Sequence, residues 1–199
     1  MVVPAKQCIS GFRQVPTQED NNTRVLSAVT WAAMTAGYGS DVATYETILT
    51  VPHPVEVTFA FVSDFRNAAL WDPRTYSVKK ATDGPIGVGT RFMLTGGLMR
   101  EDFAHRMHLP TRLIGMPLPY DIVEFDPPNE FVLKGETGLV KYCDRLRFSA
   151  AEGGTSLRYS AQLEMKGSLR IGEPLLRRVF TRIGDEATRG LPAAVKGRD

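Results

Sequence analysis

The feature that most constrains this chain is the order of its segments: a short strand, a proline-started apolar helix, a long succession of strand-like runs, and one amphipathic helix at the end. That order predicts an α+β protein whose single sheet is closed over by a single long helix. In the first strand Tyr45, Thr47, Leu49 and Val51 alternate with Thr44, Glu46, Ile48 and Thr50, the period of two that a half-buried strand requires. Pro54 suits the first turn of a helix, where its missing N–H has no partner to lose, and Val55, Phe59 and Val62 then share one face. A second helical turn, Asn67 to Leu70, stops at Trp71-Asp72-Pro73, because the residue before a proline is pushed out of the helical region. Two short helices thus stand between the first and second strands.

From Thr75 to Met165 the sequence alternates strands and turns. Tyr120 to Phe125 and Phe131 to Lys134 are strands joined by Asp126-Pro127-Pro128-Asn129, and Val140 to Ser149 and Ser156 to Met165 form a hairpin across Glu152-Gly153-Gly154-Thr155. In the first arm Tyr142, Asp144, Leu146 and Phe148 share a face opposite Lys141, Arg145 and Arg147. In the second, Leu157, Tyr159, Ala161, Leu163 and Met165 oppose Arg158, Gln162 and Glu164. One dry and one wet face are what a curved antiparallel sheet presents. The last helix opens at Gly172-Glu173-Pro174 and runs to about Leu191, with Leu176, Phe180, Ile183, Ala187 and Leu191 in one stripe and Arg177, Arg178, Arg182, Asp185 and Arg189 on the far side. The dry sheet face is the only partner large enough for that stripe.

With 199 residues and 43% hydrophobic content, the chain makes one domain plus an extension. Its 24 basic and 22 acidic residues are dispersed, so the concentrated basic surface that nucleic acid needs is missing and no nucleic-acid partner is expected. Cys8 and Cys143 lie in different parts of the chain, which implies no disulfide framework and fits a reducing, cytoplasmic compartment. Residues 1–40 read as a weakly ordered or helical extension and 41–195 as the folded domain. Within the extension, Val25 to Met34 is too short to span a bilayer, which takes roughly 20 apolar residues, so no stable membrane insertion is expected. The alternative is export, with residues 25–36 belonging to a signal.

Several motifs together resemble one family. These are Val51-Pro52-His53-Pro54 before an apolar helix, Asp64 followed by Trp71-Asp72-Pro73, Gly87-Val88-Gly89-Thr90, Tyr120 through Pro128, Asp144 with Phe148, and Gly153-Gly154-Thr155. Their order and spacing are similar to the START-like (SRPBCC) superfamily, in its polyketide cyclase/dehydrase branch, over about Val42 to Val195. The resemblance implies a helix-grip fold: a curved antiparallel sheet wrapped around a long C-terminal helix, leaving a hydrophobic cavity. It implies binding of a small hydrophobic ligand and leaves the chemistry open, since one fold hosts carriers, receptors and cyclases. Residues 96–115 resemble an insertion.

Asp144 is the candidate polar anchor, because its parity sets a carboxylate on the apolar side, where it needs a partner or takes up a proton. It reads either as a general acid/base with Tyr142, Tyr159 or Tyr120 as companions, or as a structural acceptor. Trp71, Phe92, Tyr120, Tyr142, Tyr159, Leu163, Phe180 and Ile183 are the expected cavity wall. The expected function is therefore that of a carrier or sensor of a lipid or polyketide-like ligand. The alternative is a polyketide cyclase/dehydratase using Asp144 and cavity tyrosines.

No cofactor is implied. The glycines from Gly84 to Gly89 lack the Lys-Ser/Thr of a phosphate loop and lead into a strand, so a structural turn is expected. Asp102, His105 and His108 recur at three-residue spacing without a fourth ligand, and no metal site is assigned. His53 reads as a residue at the start of a helix. In the insertion, Met99, Phe103 and Met107 would give a short helix a soft apolar face, suited equally to a lid over the cavity or to packing on the sheet rim.

Overall fold

The computed structural model describes residues 42–97, 99–108, 115–166 and 173–195. Its elements are β1 (Val42–Val51), α1 (Val55–Ser63), a 3₁₀ turn (Phe65–Asn67), α2 (Ala68–Trp71), β2 (Thr75–Lys80), β3 (Arg91–Gly96), α3 (Glu101–Arg106), β4 (Met116–Asp126), β5 (Glu130–Glu136), β6 (Val140–Ala151), β7 (Gly154–Met165) and α4 (Glu173–Val195). The extension over 1–40, including the apolar run Val25 to Met34, lies outside the described residues.

The seven strands form one curved sheet in the order β1-β7-β6-β5-β4-β3-β2, with every neighbouring pair antiparallel. Five of its six contacts join strands consecutive in sequence; the sixth brings β1 back against β7. This is the expected helix-grip fold. Two boundaries differ from those read in the sequence. Pro54 is the residue before α1, with its carbonyl accepting from Thr58 N at 3.0 Å, so it presets the chain's approach and does not occupy the first turn. Helix α4 continues past Leu191 through Pro192 to Val195, which is 1% exposed.

Alternation sorts the sheet faces. Phe131, Leu133, Leu146, Phe148 and Leu157 are buried on the inner face, as is Ile122 on β4. A register shift between Ile122 and Glu124 then changes the parity of β4, which brings Phe125 inward against Phe59, with ring centroids 5.4 Å apart. Phe59 of α1 also meets Phe131 at 5.8 Å and Phe148 at 5.2 Å, so four rings pack together at this end of the inner face. On α4, Ala187, Leu191 and Val195 join the same core.

The outer face carries ion pairs, among them Arg145–Glu124 at 3.1 Å, Arg147–Glu130 at 2.6 Å and Arg158–Glu46 at 2.7 Å. It is not uniformly wet. Val132 and Cys143 are 0% and 1% exposed there, with Val42 packed against them. Cys143 is disulfide-bonded, which corrects the expectation of two separate thiols; the chain's other cysteine, Cys8, lies outside the described residues.

Candidate functional site

Away from the Phe59 cluster the inner face changes character. Tyr120 on β4, Tyr159 and Leu163 on β7, and Phe180 and Ile183 on α4 keep part of their surface accessible. The C-terminal part of α4, with Ala187, Leu191 and Val195, is core. Tyr142 and Asp144 on β6, each 6% exposed, share this inner face.

Asp144 pairs in register with Leu133 on one side and Ala161 on the other, so its carboxyl points inward between apolar neighbours. Burial pushes this carboxyl up to about 7, and hydrogen bonds from the Tyr159 and Tyr120 phenols pull in the opposite direction by supporting the ionised form. The same burial raises both phenols well above their ordinary range. Tyr142, also expected as a companion, donates instead to the Pro119 carbonyl at 2.5 Å, which fixes its ring beside Tyr120 with centroids 4.6 Å apart.

A second carboxylate acts on this group. Asp72, just past the end of α2, accepts from Arg74 N at 2.9 Å and from Thr75 Oγ1 at 2.7 Å, and burial raises its pKa against those bonds. Its charge adds to the upward push on Asp144 and on both phenols. Arg74 is bonded in turn to Glu186 of α4 at 2.9 Å. In the sequence Asp72 stands within the Trp71-Asp72-Pro73 motif, and nothing in its spacing distinguishes a buried carboxylate just past a four-residue helix from an ordinary cap.

Among the expected wall residues, Trp71 and Phe92 are buried at 6% and 0% exposure. They meet through Phe65, which lies 6.2 Å from Trp71, 6.0 Å from Phe92 and 5.1 Å from Tyr120. Phe65 was not anticipated, because a three-residue 3₁₀ turn has no periodicity to reveal its inner side. Tyr45 was read only as a strand residue, yet its hydroxyl reaches Thr188 and Asp185 of α4 at 3.1 Å each. The expected stripe residue Leu176 has a side chain outside the described residues.

In α3 the buried residue is Ala104, while Phe103 and Met107 are 44% and 56% exposed and Met99, just before the helix, is half-buried. The segment is held through its start: Glu101 N donates to Pro73 O at 2.9 Å and Tyr76 Oη to Met99 O at 2.6 Å. Asp102 is engaged by Arg100 at 2.9 Å and Arg106 at 3.8 Å. The glycine-rich segment is a turn, with Gly84 and Gly89 at φ 83° and 86°, ending in β3. His53 sits at the start of α1, its carbonyl accepting from Thr155 Oγ1 at 2.6 Å.

Two surface depressions among the described residues lie elsewhere. One of about 460 Å³ runs along Phe59, Ala60, Ile86 and Phe125, and one of about 400 Å³ lies on the outer side near Arg147 and Arg158. Neither contains an expected site residue. The ionisable groups that converge on the inner face are instead at Asp144, with Tyr120, Tyr159 and Asp72.

Residues 42–196 match the family described as polyketide cyclase / dehydrase and lipid transport. The chain belongs to that family. This polyketide cyclase/dehydrase relative matches no curated protein. Among solved structures it is similar to a START superfamily protein from Mycobacterium smegmatis, with a TM-score of 0.61 and 11% identity over 78% of this chain and 99% of that one. The Zhui aromatase/cyclase from Streptomyces sp. R1128 gives a TM-score of 0.58 at 14% identity, over 78% and 92%. Ara h 8.0201 gives 0.54 at 19%, over 78% and 96%. At such identities the likeness is one of fold, which for START-like proteins is a hydrophobic ligand-binding fold. Among the described residues no helix is long and apolar enough to cross a membrane.

Proposed function

We propose that this protein binds a small hydrophobic ligand in the recess between the N-terminal half of α4 and the inner face of β4, β6 and β7. The observation that carries the reading is the division of one continuous inner face. Phe59 and its neighbouring rings are buried together, whereas Tyr120 and Tyr159, which bear on the buried Asp144 carboxylate, and Leu163, Phe180 and Ile183 retain accessible surface. A recess walled by aromatic and aliphatic groups, with a few fixed polar atoms, is the usual form of a small-molecule site. Trp71, Phe92 and Tyr142 support the wall, and Asp144 orients the occupant. Native mass spectrometry of the purified chain, followed by dye displacement with aromatic and acyl compounds, tests this reading. Uptake of such compounds that weakens on Ile183→Trp, which would fill the recess, supports it; a folded protein that takes up none of them refutes it.

A second reading is favoured by the acidity of Asp144. A carboxyl poised near neutrality and bonded by two phenols can take a proton from, and return it to, an enolisable polyketide chain. In that case Asp144→Asn lowers turnover by roughly 10²- to 10⁴-fold while leaving binding of the chain intact. The carrier reading expects a modest loss of affinity instead.

A further inference from the structure

The register assigns every basic side chain of β3 to β7 to the outer face. Arg91 alternates with inward Phe92 and pairs with Asp121 at 2.6 Å, while Lys134, Lys141, Arg145, Arg147 and Arg158 oppose the inward set of Leu133, Tyr142, Asp144, Leu146 and Leu157. The inner face of β1 adds Tyr45, Thr47, Leu49 and Val51, again without a cation. On α4, Arg178, Arg182 and Arg189 are exposed. Among the described residues, the carboxylates that bear on this part of the inner face are Asp144 and, beside it, Asp72, whose neighbour Arg74 is bonded to Glu186.

An acid entering this recess would bring a negative charge toward two carboxylates with no inward cation on β3 to β7 to receive it among the described residues, while Lys80, inward on β2 beside Phe92, is held by the Thr82 and Gly84 carbonyls. Burying an unpaired charge is costly enough that the ligand would stay in water or take up a proton. A hydroxyl meets the opposite situation. Asp144 accepts hydrogen bonds from Tyr159 and Tyr120, and a carboxylate has about four acceptor positions, which leaves room for a further donor. The rings of Phe65, Phe92, Tyr120 and Tyr142 form a linked aromatic border beside that acceptor.

Resting on the proposed recess, we infer that the protein selects uncharged aromatic ligands bearing a hydroxyl group, that Asp144 receives that hydroxyl, and that the corresponding carboxylic acids are rejected. Asp144 thus acts as a specificity determinant in the carrier and enzyme readings alike.

The test compares three probes on one ring system, 2-naphthol, naphthalene-2-carboxylate and 2-naphthylmethylamine, titrated into the full chain near pH 8. The naphthol is expected to bind at least about tenfold more tightly than the carboxylate, the scale of one unfavourable polar burial. Asp144→Asn, checked for folding by circular dichroism, should narrow that gap to within about threefold by admitting the acid. Should the variant fail to fold, the wild type near pH 5.5 provides the same comparison, because there Asp144 is largely protonated while the ligand acid remains ionised. Carboxylate binding equal to or tighter than the naphthol overturns the selectivity while leaving the recess intact. Tighter binding of the amine overturns it as well, by showing that charge complementarity governs. Binding of none of the three overturns the recess itself and the inference with it.

Discussion

Gly184 of α4 lies flat against the ring of Tyr45: a Cβ at position 184 would stand 2.7 Å from three atoms of that ring. The contact lets the helix approach β1 closely enough for the Tyr45 hydroxyl to bond Thr188, whose own hydroxyl turns back to the Gly184 carbonyl at 2.9 Å. Glycine is otherwise a poor choice within a helix, and replacing it by alanine at a free site stabilises by about 1 kcal/mol. Here Gly184→Ala is expected to lower the melting temperature, since the gain in propensity is outweighed by displacement of Tyr45. A rise in thermal stability would show that the ring moves aside freely.

The divided role of α4 predicts a divided mutational response. Leu191, 2% exposed, is part of the core, so Leu191→Ala should cost about 2–5 kcal/mol in urea unfolding. Ile183 borders the recess with part of its surface accessible, and Ile183→Ala should remain within about 1 kcal/mol of wild type while weakening binding of an apolar dye. Equal losses of stability at the two positions would count against the recess.

Asp144 makes stability depend on pH in a direction opposite to that of an ordinary ion-paired carboxylate. Its pKa is about 7 in the folded chain and near the ordinary aspartate value when unfolded, so between the two the native state holds the additional proton. Stability from this group is therefore greatest in acid and is lost as pH rises from about 4 through about 7, with a total on the order of a few kcal/mol. Asp72, raised in the same direction, contributes with the same sign. Melting curves across that range should show a decline that Asp144→Asn flattens, with the variant more stable than wild type near pH 8. A variant slope as steep as the wild type's would place the titration elsewhere.

Glu186 is approached by arginines from three segments: Arg74 at 2.9 Å, Arg182 at 3.1 Å and Arg100 at 4.0 Å. The Arg74 and Glu186 side chains are only 12% and 11% exposed, whereas Arg182 is 78% exposed. Glu186→Gln should cost about 3 kcal/mol, as breaking a buried pair does. Arg182→Ala should cost less than about 1 kcal/mol, as at a surface pair. Similar losses for the two would mean that the Arg74 pair is well hydrated.

Periodicity carried most of the fold. Alternation in β6 and β7 placed Asp144, Leu146, Phe148 and Leu157 inward, and the 3.6-residue stripe of α4 placed Ala187 and Leu191 in the core. What escaped has specific causes. Phe65 and Asp72 occupy turns too short to show a period. Tyr142 shares the inward parity of Asp144 but is taken by a backbone carbonyl of β4, a contact between distant segments that no local pattern encodes. In α3 the Met99, Phe103 and Met107 spacing indicated a buried face, but the segment is anchored by backbone bonds and Arg100, and its compact Ala104 lies underneath. Val132 and Cys143 appear in the sequence as ordinary outward positions, and alternation alone cannot reveal an outer face that is covered.

A helix fixed in this way is a cantilever. Its far end is clamped by Leu191, Val195 and the close approach of Gly190 to the Trp71 backbone, while its near end borders the proposed recess. Any movement that widens the recess must therefore pivot about that clamp, and an occupant would register first as slower amide exchange in the bordering turns, with those near Leu191 already protected in the empty protein.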